Sequence, residues 1–285
     1  MGAAISALPR AVGIVKRNPI LLLGAVVFGL IALVGVAVSI IPLIGTIITQ
    51  VLILPVGLAG IVAMTDAGTA REDTSLGEFT GGISNYAGSM IGAYGLMFLI
   101  QAAAGIALLI VFVFVLGVGL FSVGMGTGSE PGAFLTSVGL LTALVLLVVF
   151  LMILVLGLIQ QFLDVAVVVG GEDATGALSE ATSLITGGPL SVLGYSILRF
   201  VVLGVAIGGP LVLAFVIAGA GVEQNTSAAL VPAVLLLLVA FPLGTALGFA
   251  YHVAYYRERR PQAAPSSSST GGGNADVVSP PSVDS

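Results

Sequence analysis

Five long apolar stretches dominate the chain: 20–64, 88–123, 133–169, 190–218 and 230–256. An α-helix rises about 1.5 Å per residue, so about 20 apolar residues cross roughly 30 Å of hydrocarbon. The first stretch is far longer than that and is interrupted at Ile41-Pro42, where proline lacks a backbone donor and clashes with the preceding turn. It predicts two helices, 20–41 and 43–64. Six spans follow: 20–41, 43–64, 88–123, 133–169, 190–218 and 230–256. The stretches 88–123 and 133–169 exceed the requirement, which predicts tilt or projection beyond the bilayer. Backbone polar groups in lipid must be satisfied within the structure, and the alternation of a membrane barrel is absent. The fold class is an all-α, polytopic membrane helix bundle.

The segments ahead of spans 1, 3 and 5 repeat. Leu8, Leu76 and Leu178 align; three residues on lie Ala11, Phe79 and Ala181, and seven on lie Val15, Ile83 and Ile185. Gly24, Gly92 and Gly194 follow at a fixed distance. The 0, +3, +7 spacing is one face of an amphipathic helix. Ser75-Leu76-Gly77-Glu78 has the form of a capping box. Breaks are expected at Asn18-Pro19, Asn85-Tyr86 and Gly188-Pro189. The chain therefore reads as three hairpin repeats, each preceded by a short interfacial helix. Pro55 and Gly57 in span 2 match Pro242 and Gly244 in span 6.

Composition agrees with this pattern. Charged residues make up 7% and hydrophobic ones 58%, against about 25% charged in soluble domains, and the mean hydropathy is +1.21. Arg10, Lys16, Arg17, Arg71, Arg257, Arg259 and Arg260 all fall on one side of a six-span topology. The turns after spans 1, 3 and 5 carry no lysine or arginine. By the positive-inside rule that basic side is cytoplasmic, which puts both termini in the cytoplasm of a multi-pass cell-membrane protein. Residues 1–256 form the membrane domain. Residues 257–285, with Ser266–Ser269, Gly271–Gly273 and four prolines, read as a disordered cytoplasmic tail. The N-terminal run is too long for a signal peptide, and Met1-Gly2-Ala3-Ala4-Ile5-Ser6 fits the myristoylation pattern only in a eukaryotic context.

Leu8–Gly24, Leu76–Gly92 and Leu178–Gly194, and Ala177–Ile185 above all, carry a resemblance. The chain resembles uncharacterised six-span membrane proteins of halophilic archaea. More loosely, it is similar to the membrane region ahead of the catalytic domain in some glycerophosphodiester phosphodiesterases. The phosphodiesterase barrel has no counterpart here, so the resemblance implies no catalytic residue. One lysine against seven arginines, in a chain of net charge −5, fits a salt-adapted proteome.

Chemistry-bearing residues are few. There is no cysteine, and His252 is the only histidine, which excludes a disulfide framework and Cys/His zinc sites. No cofactor or metal is implied. A basic footprint for nucleic acid is absent. Ionisable residues within spans are functional candidates by default, and two qualify. Asp164 lies near the cytoplasmic end of span 4 and Arg199 about ten residues into span 5. An intramembrane ion pair between them is expected, acting as packing glue or as a gate or anion site. Gln101, Gln160 and Gln161 are candidates for interhelical polar contacts. His252, within Tyr251–Tyr256, reads as part of an interfacial aromatic belt. The acidic pairs Glu72-Asp73 and Glu172-Asp173 read as hydrated loop residues, and Asn225-Thr226-Ser227 matches a glycosylation sequon. Gly88-x-x-x-Gly92, Gly204-x-x-x-Gly208 and Gly244-x-x-x-Gly248 suit close helix approach, within one chain or in a homo-oligomer.

Catalysis would need convergent acids, bases or metal ligands at one depth, and the sequence shows none. The expected function is a non-catalytic membrane-organising or accessory protein with the lipid bilayer as its partner and no assigned protein partner. The alternative is a small-solute or lipid transporter or channel component, for which repeated hairpins are a common architecture.

Overall fold

The computed structural model describes residues 2–71, 73–124, 131–223 and 230–260. All regular structure among them is helical. The elements are α1 (Gly2–Arg17), α2 (Ile20–Val38), α3 (Ile44–Ile48), α4 (Leu54–Ala70), α5 (Leu76–Gly124), α6 (Pro131–Gln160), α7 (Leu163–Val168), α8 (Ala174–Thr186), α9 (Pro189–Leu203), α10 (Gly209–Glu223) and α11 (Leu230–Arg259). Six segments are long and apolar enough to cross a membrane: Ile20–Val38, Ile44–Ala70, Leu76–Val115, Thr142–Val168, Pro189–Gly219 and Leu230–Arg259. We refer to them as spans 1 to 6.

Spans 2 and 5 each contain one wide π turn, at Thr49–Ile53 and Gly204–Gly208. Each turn lies just ahead of a proline, Pro55 and Pro210. Proline clashes with the carbonyl four residues back, and a widened turn relieves that clash without ending the helix. Span 1 turns into span 2 at Ser39–Leu43, where Leu43 takes the left-handed φ of 61°. Hydroxyls hold this turn: Ser39 donates to Gly35 O at 2.9 Å and Thr49 to the same carbonyl at 2.8 Å.

Two expected breaks occur and one does not. α1 ends ahead of Asn18-Pro19 and α8 ahead of Gly188-Pro189, with Pro19 at the N-cap of α2 and Pro189 the first residue of α9. The Asn18 amide bonds Ile14 O at 3.2 Å and Gly68 O at 3.3 Å, joining the ends of α1 and α4. At Asn85-Tyr86, however, α5 runs through unbroken from Leu76. No proline stands there, so nothing removes a helical hydrogen bond, and the second short helix is simply the start of span 3. Phe79 on that stretch is buried against Gly60 of α4, while Thr80 is exposed.

Other boundaries shift too. Span 2 continues past Met64 to Ala70, and span 4 is interrupted at Gln161-Phe162 before α7 resumes. α11 extends to Arg259, so the first residues assigned to the tail are helical. The rest of the tail, Glu72 of the acidic pair Glu72-Asp73, residues 125–130 and the Asn225 sequon lie outside the described residues.

Packing orders the spans as 4–3–2–1–6–5. α5 lies between α6 and α4, α2 between α4 and α11, and α10 rests on α11. α1 lies along α11, while α7 and α8 pack on α5 at the same end. Spans 4 and 5 stand at the two ends of this order. Among the described residues they meet at Gln161–Ser196 and Phe162–Tyr195, and α6 makes no extended contact with α9 or α10.

Candidate functional site

Three short-range sequence features bring polar groups to one point in the core. Pro189 starts α9 and sets its inner face, which buries Val192 and Tyr195. The interruption at Phe162 restarts the chain as α7 with Asp164 in its first turn. In α11 the run Gly244–Tyr256 carries small residues and tyrosines on every side, and His252 lies fully buried within it.

His252 bridges the other two. Its Nε2 lies 3.0 Å from Asp164 Oδ1, and its Nδ1 meets the Tyr195 hydroxyl. A carboxylate only accepts and a neutral imidazole has one donor and one acceptor. The consistent assignment has Tyr195 O–H donating to Nδ1 and Nε2–H donating to Asp164, the tautomer following from the network. Asp164 Oδ1 also accepts from Val165 N at 2.9 Å. Rings seal the array: Tyr195 stacks on Tyr255 at 4.0 Å, and Phe162 lies 5.6 Å from both Tyr195 and His252.

The tyrosines around it tie separate elements to α11. Tyr251 donates to Ala4 O of α1 at 2.9 Å, Tyr255 shares a hydrogen bond with Ser191 of α9 at 3.2 Å, and Tyr256 donates to Glu180 of α8 at 2.5 Å. Beyond them Arg257 pairs with Asp66 at 2.7 Å and Glu258 with Arg10 at 3.4 Å. Arg260 pairs with Glu180 at 3.0 Å and donates to Val169 O and Gly170 O, the carbonyls ending α7. A cation there complements the negative end of the helix. Asp173 caps α8 by accepting from Gly176 N at 2.7 Å. That bond, aided by the Thr175 hydroxyl, holds its carboxyl below the usual aspartate value.

The expected pair of Asp164 and Arg199 is not formed. Asp164 is engaged by His252, and among the described residues no carboxylate lies within ion-pair distance of Arg199. The belt assignment of His252 is likewise corrected, since its side chain has no access to solvent or lipid. The cause is the depth match of Asp164, Tyr195 and His252, each a few residues inside the end of its span that lies beside α1 and α8. Counting residues from those ends is the signal that would have grouped them. Of the glutamines, Gln101 donates to Gln160 at 2.9 Å across spans 3 and 4, and Gln161 bonds Ser196 of α9 at 2.8 Å. Gly244 and Gly248 meet Ile207 and Leu203 of span 5, so that motif packs within the chain.

Three cavities stand apart from this array. One of about 670 Å³ lies between α5 and α6 and ends on Gln101 and Gln160. Another of about 430 Å³ lies between α2 and α11, and a polar one of about 220 Å³ is lined by Asp66, Arg71, Glu78 and Asn85. None includes Asp164, His252 or Arg199. Among the described residues no group of three His, Asp or Glu side chains is placed to hold a metal.

A sequence-family profile described as a domain of unknown function, DUF7847, matches residues 3–259. The chain belongs to the DUF7847 family. No curated protein matches the chain, and no solved structure does. The DUF7847 match starts within α1 and ends on the last helical residue of α11. It takes in the buried array and the charged end of α11 that fastens it.

Proposed function

We propose that this multi-pass protein is a non-catalytic, membrane-organising or accessory component of the cell membrane, with both termini and the basic ends of its helices in the cytoplasm. The observation that carries the reading is the sealing of the Tyr195–His252–Asp164 array. A triad that performed chemistry would need a path for substrate; this one is buried, stacked over by Phe162 and Tyr255, and lined by none of the three cavities described. Its role is to join spans 4, 5 and 6. The three hairpin units and the surface placement of α1 and α8 belong to the same proposal, and one lysine against seven arginines supports a haloarchaeal source.

The transporter reading draws on one feature, the 670 Å³ cavity between α5 and α6 with its paired glutamines. Reconstitution into vesicles separates the two. Leakage of an entrapped pH dye and flip of a labelled lipid should match protein-free vesicles. Flux above that level, lost in Gln101→Leu, would instead establish transport. Orientation is read from single cysteines in this cysteine-free chain. One at Gly128 or Gln224 should react with an impermeant reagent outside intact cells, and one at Thr74 should not.

A further inference from the structure

We propose that Arg199 anchors an anionic phospholipid, whose phosphate enters sideways through the open seam between spans 4 and 5. The inference deepens the membrane-organising reading and rests on it.

Arginine does not lose its proton in proteins, and Arg199 stands about 15 Å along α9 from Pro189, at 1.5 Å per residue. It lies on the face that carries Tyr195, away from the lipid-exposed Ile197 and Phe200. Its Nε is buried with no hydrogen-bond partner, and none of its nitrogens donates to a described residue. Tyr195, one turn back on α9, shares its face and is buried. Asp164 is the acid nearest to that array, and it is held by His252 and Val165 N. Among the described residues the site therefore contains a permanent cation that no carboxylate pairs with directly, Asp164 being engaged in its bonds to His252 and Val165 N. Arg259 is different. Its Nε is also unpartnered, but it sits on the last helical residue of α11 beside the Gly188 elbow, outside the long apolar run.

The surroundings select the form of the anion. On the cytoplasmic side, one turn from Arg199, Ser196 is bonded to Gln161, and the Tyr195–Tyr255 stack lies beyond. Those groups close the approach from water. Laterally the way is open, because α6 packs on α5, α7 and α8 while α10 packs on α11. The flanks nearest that depth are lipid-exposed and apolar: Ile153, Leu154 and Val155 on α6, and Phe200, Val201 and Val205 on span 5. A free phosphate ion has no route through such flanks. An amphiphile with a charged phosphate and acyl chains does, and a guanidinium matches two phosphate oxygens at once. The polar Ser191 and Ser196 occupy the turns of α9 between its start and Arg199, so the phosphate need sink only one or two turns.

The test uses the full chain in neutral detergent with dioctanoyl phosphatidylglycerol as probe, read as the shift in thermal midpoint. The wild type should rise saturably with this lipid and stay unchanged with dioctanoyl phosphatidylcholine or inorganic phosphate. Arg199→Gln should abolish the rise, and Arg71→Gln, at the exposed Glu78 pair, should keep it. An equal rise in Arg199→Gln, or one produced by phosphate alone or by phosphatidylcholine, overturns the proposal. If the glutamine variant does not fold, Arg199→Lys keeps the charge and loses the fork. Its affinity for phosphatidylglycerol should fall with loss of the two-oxygen contact, and an unchanged affinity overturns the site. Failure here leaves the vesicle result standing, since that measurement reports flux and this one binding.

Discussion

The two halves of α11 show what holds this bundle together. In its outer half, Val231, Val234, Leu235, Leu238 and Val239 are exposed, the last at 69%. In its inner half, every residue from Gly244 to Tyr256 is buried except Leu247, which is partly so. Both halves are apolar, so hydropathy does not distinguish them. Packing leucine on leucine gains little when the alternative is a lipid tail. Glycine and alanine allow close backbone approach, and tyrosine, histidine and aspartate gain partners that hydrocarbon cannot offer. The spans are held at one end by small residues and satisfied polar groups, and elsewhere they meet lipid.

The strongest way to break that contrast is at its polar centre. Asp164→Ala strands His252 Nε2–H in the core and should cost up to about 3 kcal/mol, seen as a lowered midpoint in detergent melts. His252→Ala should cost a similar amount by leaving the carboxylate uncompensated. The double variant should recover part of the sum, since coupled partners are non-additive; strictly additive losses would show that the bond contributes nothing. Next in size is close approach between α4 and α5. Adding a Cβ at Gly82 would press it to 2.6 Å from Ala59 O, and Gly82→Ala should destabilise by about 1–3 kcal/mol. Arg260→Ala removes partly exposed ion pairs and should cost about 1 kcal/mol, less at high salt.

Lipid-facing changes sharpen the contrast from the other side. Leu238→Ala should move stability by no more than about 0.5 kcal/mol, against the large effects at the inner end of the same helix. The smallest effect concerns Asp173. Its carboxyl is held low by the Gly176 amide, so its stabilisation is present above the ordinary aspartate value of 3.8 and fades as pH falls below it. The midpoint difference between wild type and Asp173→Asn should therefore shrink in acid and stay flat above about pH 5.

Six apolar helices were legible because hydrocarbon thickness imposes a length that survives any packing detail. Proline marked the elbows at Pro19 and Pro189, and its absence at Asn85-Tyr86 explains the uninterrupted span 3. The π turns ahead of Pro55 and Pro210 were written in the same residue type but need its backbone geometry to be read. The buried array was hidden for another reason. Tyrosines near a span end suggest the headgroup layer, whereas here α1, α8 and α9 cover them, and that coverage depends on contacts across most of the chain.

The bond from Tyr251 to Ala4 joins residues 247 positions apart. A ribosome adding about 5–20 residues per second leaves α1 waiting roughly ten to fifty seconds for its seat on α11. During that interval Ala4, Ala7, Ala11, Ile14 and Val15 have no permanent neighbour, and the nascent chain must shelter this face on the membrane surface or on a chaperone. Birth order thus runs opposite to assembly order: the first helix made is among the last to be placed, and a chain stopped before span 6 is complete never seats it.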